Sequence, residues 1–344
     1  MNALARRPLG KTGLEVTALG FGGATIGGFR KAIPEETAGD TVREACKAGL
    51  NLFDTSPYYG YGRSEHRCGH VLRDMPRDSY LLSTKVGRCL EPLRPGEPAD
   101  GLRPGGLQFR PVFDYSYEGA MRSYEQSVAR LGVGLVDILL IHDVDAFTHG
   151  DEDNARRFFE TALEGACRAL RELRRCGDVK AIGVGLNDVS WCCRFLDATD
   201  IDCVLLAGRY TLLDQSALPD LLPKCVARNV GLIVGGPYNS GILAVGPVKG
   251  ARYNYTTPTA DVIDRVRRVA AICATYGVPM QAAALQFPLR HPAVSTVIAG
   301  AATPGEVAAN VGFMNFPIPS ALWSHLRSEG FIDDGVPGNT GRDR

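Results

Sequence analysis

Eight short apolar runs, separated by longer stretches of helical period, recur along the 344-residue chain and constrain its fold more than any other feature. The runs cover 18–22, 51–54, 80–85, 136–142, 181–185, 203–207, 231–235 and 295–298. Each has the length and the Val, Ile and Leu content of a strand buried on both faces. Between them, amphipathic helices are expected over 34–48, 64–72, 117–131, 156–175, 190–198, 215–228, 259–276 and 304–311, with Gly49, Gly132, Gly177 and Gly277 just past helix ends. Strict alternation of strand and helix implies parallel strands joined by right-handed crossovers. Eight such units predict an α/β fold of the closed (β/α)8 class, a TIM barrel, with a doubly wound open sheet as the alternative. No break in composition divides 1–344, so one domain is expected. Residues 6–17 predict an N-terminal hairpin turning at Gly10-Lys11-Thr12-Gly13, 319–326 a last helix, and 335–344 a frayed polar tail.

Charge narrows the partners. Lys plus Arg equals Asp plus Glu at 38 each, which removes the basic footprint of a nucleic-acid binder and leaves a small molecule as the expected partner. No apolar run reaches the ~18 residues of a membrane helix, and no signal-peptide core follows Arg6-Arg7, so a soluble cytoplasmic protein is expected. The ten cysteines include the vicinal Cys192 and Cys193 but no CxxC pair, which predicts reduced structural thiols and no metal site.

In a barrel the chemistry collects where strands end. The stretch 52–69, LFDTSPYYGYGRSEHRCG, ends an apolar approach in Asp54 and then carries Tyr58 and Tyr59 into a Gly-rich turn. Other strand ends bring Lys85 with Arg88, His142 with Asp143, Asn187 with Asp188, Arg209 with Tyr210, and a Gly-rich turn at 236–241. Singly, each has a structural explanation: a cap, a snorkelling lysine, a satisfied core histidine. Converging at successive strand ends, Asp, Tyr, Lys and His are the parts of a tuned acid–base site, with Lys85 expected to lower the proton affinity of a neighbouring tyrosine. A Pro- and Gly-rich loop at 88–115 carries Phe109, Phe113 and Tyr115, apolar side chains suited to closing over a substrate.

The segments GLEVTALGFGGATIGG, NLFDTSPYYGYGRSEHRCG, LLSTKVG, VDILLIH, AIGVG and STVIAGAATPGEVAANV resemble, in order, the aldo-keto reductase superfamily. That resemblance favours the barrel over the open sheet and implies a nicotinamide cofactor held without a Rossmann domain; no G-x-G-x-x-G opens a helix after an expected strand. Carried over by motif, it implies a catalytic set of Asp54, Tyr59, Lys85 and His142. It implies cofactor contacts at Asn187, at Tyr210 stacked under the nicotinamide, at Gly236, Pro237, Tyr238, Ser240, Gly241, Gly300 and Ala302 along the phosphates, and at Glu306 and Asn310 near the adenosine. Glu306 stands where a 2′-phosphate would be repelled, so NAD and the oxidative direction are expected. The segments FDYSYEGAMRSYEQSVARLG, LLIHDVDAFTHG and LLAGRYTLLDQ resemble the branch of aldose 1-dehydrogenases and pyridoxal 4-dehydrogenases. An aldose 1-dehydrogenase forming a lactone is the first expectation and pyridoxal oxidation the second; a slowly turning regulatory or redox-sensing barrel is the alternative from another class. Tyr58, Phe109, Phe113, Tyr115 and Trp191 are the candidate substrate wall, with Trp191 equally suited to core packing. Oligomeric state is left open.

Overall fold

The computed structural model describes residues 1–29, 31–97 and 104–338. Eight parallel strands close into a barrel in chain order: β1 (Leu19–Gly22), β2 (Leu52–Asp54), β3 (Leu81–Val86), β4 (Ile138–His142), β5 (Ala181–Leu186), β6 (Cys203–Ala207), β7 (Gly231–Gly235) and β8 (Val294–Gly300), with β8 pairing back onto β1. The closed barrel therefore replaces the open-sheet alternative. Side chains alternate between two cores, as the pleat requires. Leu52, Ile138, Leu140, Ala181, Cys203, Leu205, Ile233 and Ile298 fill the interior, while Phe53, Leu82, Leu139, Ile182, Val204 and Val297 meet the outer helices.

The N-terminal ribbon pairs Arg6–Pro8 with Glu15–Thr17 and plugs the bottom of the barrel. Its Leu9 and Val16 are fully buried in the interior cluster. Deleting their ~2 side chains' worth of contact would expose that end of the interior to water, at a cost of several kcal/mol by the usual large-to-small scale.

Three expectations are corrected. The helix expected at 156–175 is two, Glu152–Glu164 and Ala166–Cys176, broken where Gly165 passes Tyr117; a Cβ there would come within 2.6 Å of the Tyr117 nitrogen. The helix expected at 215–228 starts only at Leu221, because the stretch before it is held in turns, the Ser216 nitrogen donating to Asp214 Oδ1 at 3.1 Å and the Ala217 nitrogen to the Arg209 carbonyl at 3.2 Å. The 88–115 segment is not a plain loop: Arg88–Pro92 pairs antiparallel with Phe109–Phe113. Residues 98–103 lie outside the described residues. A further helix, Met280–Gln286, precedes β8. Of the tail expected to fray, 335–338 is tied down, with Val336 buried and its carbonyl accepting from Arg327 at 2.7 Å; 339–344 lie outside the described residues. Among the described residues, no helix is long and apolar enough to cross a membrane.

Just before β8, His291 is buried beside Tyr210 and its Nδ1 accepts from the Ala293 nitrogen at 3.2 Å. Burial lowers its pKa from 6.5 to about 4. A histidine whose folded pKa is depressed binds fewer protons folded than unfolded, so its share of stability is full above pH 6.5 and is lost as pH falls toward 4. Thermal melts between these limits should show that loss, and His291→Gln should flatten it.

Candidate active site

Pleat alternation sends Asp54, Ser83, Lys85 and His142 inward at the tops of β2, β3 and β4: Asp54, Ser83 and His142 stand two residues above Leu52, Leu81 and Leu140, and Lys85 two above Ser83. Lys85 Nζ donates to Asp54 Oδ2 at 2.8 Å, to Oδ1 at 3.0 Å and to the Thr55 carbonyl at 2.8 Å, and the Ser83 hydroxyl donates to Asp54 Oδ1 at 2.9 Å. The lysine is 1% exposed. It crosses the barrel over Gly185, where a Cβ would sit 3.3 Å from Lys85 Cε.

Tyr59 reaches this pair from a turn built on Gly60, Tyr61 and Gly62, whose φ angles of 66°, 55° and 93° are all left-handed. Gly60 has no substitute on packing grounds either, since a Cβ would lie 1.9 Å from the Gly27 carbonyl oxygen. Lys85 Nζ stands 4.7 Å from the Tyr59 ring centroid. The His142 ring lies edge-on to Tyr59 with centroids 5.9 Å apart, and its Nδ1 is 3.1 Å from the Ser56 hydroxyl. The four residues expected to converge do so.

The electrostatics differ from expectation in one respect. Burial raises the Tyr59 phenol above its usual 10, and Lys85 opposes that shift without overcoming it. The lysine therefore limits the rise and does not make the phenol acidic. Burial disfavours a charged Lys85, but Asp54 and Tyr59 outweigh it and hold the ammonium above its ordinary value. Burial also pushes the Asp54 carboxyl up against the pull of Lys85. Asp54 accepts on both oxygens from the lysine, so the ion pair is the state we assign.

Next to His142, Asp143 and Arg88 form a second buried pair at 2.8 Å. Arg88 is sandwiched between Tyr58 and Phe113, 4.3 and 4.5 Å from their centroids. The rim above carries Phe29, Phe147 and Tyr255, with Tyr255 6.1 Å from Phe29 and 6.2 Å from Phe147 between centroids. Sequence reading missed these three, along with Ser56 and Ser83. Only Ser83 left a signal there: it shares the Lys85 face by alternation.

On the expected cofactor side, Asn187 ends β5, its Nδ2 donating to Asp143 Oδ1 and its Oδ1 accepting from the Tyr255 hydroxyl, both at 3.3 Å. Gly236, Asn239, Ser240 and Gly241 have φ of 59°, 46°, 63° and 100°, left-handed residues that fold the turn back on itself, with the Asn239 and Gly241 nitrogens donating to the Gly236 and Tyr238 carbonyls at 2.9 and 3.0 Å. Pro237 is buried within that turn. The space beside Gly241, where a Cβ would meet nothing within 4 Å, fits the phosphates of a dinucleotide. Tyr238 donates to Asn310 Oδ1 at 2.7 Å, joining the turn to the helix after β8. Gly300 and Ala302 lie at the exposed end of β8, and Glu306 Oε2 accepts from the Ala302 nitrogen at 2.8 Å. Thr303 and Glu306 thus form a helix-start cap, a structural duty for Glu306 that leaves its other oxygen facing solvent.

Three assignments do not fit. Tyr210 is fully buried against Phe287, centroids 5.2 Å apart, so its ring is not available to stack under a ligand. Trp191 is fully buried against Phe159. Tyr115 is 1% exposed, and its hydroxyl donates to the His142 carbonyl at 2.8 Å, which makes it a brace of the site and not a wall. Phe109 and Tyr58 stay partly exposed, and Phe113 is 37% exposed. All ten cysteines are free, and no group of three metal-ligating side chains occurs among the described residues.

Residues 18–328 match the model of the aldo/keto reductase family. Over 343 residues the chain is 42% identical to pyridoxal 4-dehydrogenase of Microbacterium luteolum, covering 96% of this chain and 99% of that protein. It is 36% identical over 325 residues to D-threo-aldose 1-dehydrogenase of a Pseudomonas species, covering 91% and 94%. Among solved structures, the holo form of an aldo-keto reductase from Bacillus halodurans superposes with a TM-score of 0.72 at 23% identity over 98% of this chain and 99% of that one, a likeness of fold. With the parallel barrel closed, the Asp, Tyr, Lys and His side chains gathered at its rim and the family model spanning 18–328, the chain belongs to the aldo/keto reductase family, whose members are oxidoreductases using nicotinamide cofactors.

Proposed function

We propose that this protein is an NAD-dependent dehydrogenase that oxidises a cyclic hemiacetal to a lactone. The observation that carries the reading is the Tyr59, Lys85, Asp54 and His142 cluster beneath an aromatic rim. When bound, the nicotinamide cofactor supplies the hydride acceptor. Tyr59 takes the proton from the hemiacetal hydroxyl, and His142 donates a hydrogen bond to that same oxygen. Lys85, fixed by Asp54 and Ser83, stabilises the phenolate as it forms. Asn187 and the 236–241 turn hold the cofactor, with Gly300, Ala302 and Asn310 at its adenosine end.

Pyridoxal and an aldose are chemically parallel substrates, since each closes to a hemiacetal. The flat apolar faces of Phe29, Phe113, Phe147 and Tyr255 suit an aromatic ring better than a sugar ringed by hydroxyls, and the 42% relative is named for pyridoxal. Pyridoxal therefore ranks ahead of the aldose preferred on sequence alone. Support for NAD over NADP is local: Thr303, Pro304, Gly305 and Glu306 bring no cation and one carboxylate to the helix start. Initial rates of NADH formation with pyridoxal, L-fucose, L-galactose, D-arabinose and simple alcohols test both points. Fastest turnover with pyridoxal and NAD is expected. A strong preference for NADP overturns the cofactor assignment, and no turnover with any hemiacetal favours the regulatory alternative.

A further inference from the structure

We propose that Ser56 and Asp143 are positioning residues that hold the His142 imidazole in its Nε2-protonated form, ready to donate to the reacting oxygen. The proposal rests on the reading that His142 binds that oxygen. The Ser56 hydroxyl accepts from the Tyr58 nitrogen at 3.1 Å and has one proton of its own to give. The ring atom beside it, 3.1 Å away, is His142 Nδ1, and donation to Nδ1 leaves the ring proton on Nε2. On the opposite edge of the ring, Nε2 lies 3.4 Å from Asp143 Oδ2, a charge contact and not a hydrogen bond, so the carboxylate favours a proton on Nε2 while leaving it to be donated to the reacting oxygen. Ionised against Arg88, Asp143 has no proton to offer the ring; its two oxygens accept from Arg88 Nη2 at 2.8 Å and Asn187 Nδ2 at 3.3 Å. Both edges of the imidazole thus select one tautomer.

The carboxylate is itself fixed. Arg88 is 5% exposed, clamped between two aromatic faces, and cannot swing away from Asp143. Asp143 sits at φ 53°, a left-handed conformation that Asp tolerates, and the Tyr115 hydroxyl braces the carbonyl just before it. Since Asp143 also holds Asn187, it links the substrate side of the site to the expected cofactor side.

Long-range proton–nitrogen NMR spectra of the full-length chain labelled with 15N-histidine test this without cofactor or substrate. His142 is assigned from the signal lost in His142→Asn. Wild type should show a pyridine-like Nδ1 and a pyrrole-like Nε2. Ser56→Ala should draw the two nitrogen shifts toward each other, Ser56→Thr should restore them, and Asp143→Asn, which keeps the left-handed backbone, should weaken the preference independently. The alanine variant should lose roughly tenfold to a hundredfold in kcat with the KM for NAD unchanged, as expected of a misplaced group. A wild-type ring protonated at Nδ1, or nitrogen shifts unmoved in both Ser56→Ala and Asp143→Asn, overturns the proposal. Because the spectra need no turnover, failure of the hemiacetal reading would show as absent activity with the tautomer intact.

Discussion

Tyr59→Phe lowers kcat for hemiacetal oxidation by ~10²–10⁴-fold, the usual contribution of a placed acid–base group, and leaves NAD affinity essentially unchanged. The substitution removes one oxygen and keeps the ring that lies against Lys85 and His142. Packing of the turn is therefore preserved, and the loss reads on chemistry alone. The wild-type pH profile carries the same information. Burial holds the phenol above its usual 10 against the opposing pull of Lys85, so the fraction able to accept a proton grows as pH rises. The oxidation rate of the wild type should climb through the alkaline range, and that limb should vanish in the phenylalanine variant. An unchanged profile would move the base elsewhere.

Lys85→Met should destabilise the fold by ~3–5 kcal/mol, the cost of leaving one buried partner of an ion pair uncompensated. Asp54 would keep only the Ser83 donor in a site where it is 2% exposed. Deprived of the lysine, its carboxyl is governed by burial and rises further above the unfolded value of ~3.9. The folded state then binds more protons than the unfolded one, so the variant's stability falls as pH rises through that window. Chemical denaturation should show a larger deficit at neutral pH than near pH ~4, and Asp54→Asn added to Lys85→Met should recover part of it. Equal deficits at both pH values would mean that the lost methylene packing of Lys85, and not the orphaned charge, sets the cost.

Strand alternation alone placed three of the four residues at the centre of the site. A residue at the top of an inward-facing row has nowhere to point but into the barrel mouth, so Asp54, Lys85 and His142 were legible from spacing. The glycine-rich turn after β2 offered both Tyr58 and Tyr59, and only the resemblance to the family motif singled out Tyr59. The aromatic residues were not, and the reason is physical. Tyr210, Trp191 and Tyr115 are apolar enough for a pocket wall and for a core, and only packing against Phe287, Phe159 and the His142 carbonyl assigns them to the core or to bracing. Phe29, Phe147 and Tyr255 stand in three loops more than a hundred residues apart at their widest, and only closure of the barrel brings them to one rim.

The net proton affinity of Tyr59 was also misjudged from composition. Lys85 beside a tyrosine argues for a lowered phenol, but depth in the barrel contributes an opposing and larger effect that no local pattern records.

The sequence by itself determined the eight-fold strand–helix alternation, the inward Asp54, Lys85 and His142, and the N-terminal ribbon, because each follows from periodicities of two or 3.6 residues within one segment. Only the tertiary structure decided which aromatic rings face the mouth, that 88–115 folds as a ribbon with Arg88 locked on Asp143, and that Ser56 and Asp143 bracket the His142 ring. Those relations join residues up to 226 positions apart, such as Phe29 and Tyr255, and depend on burial and approach distances that exist only once the barrel has closed.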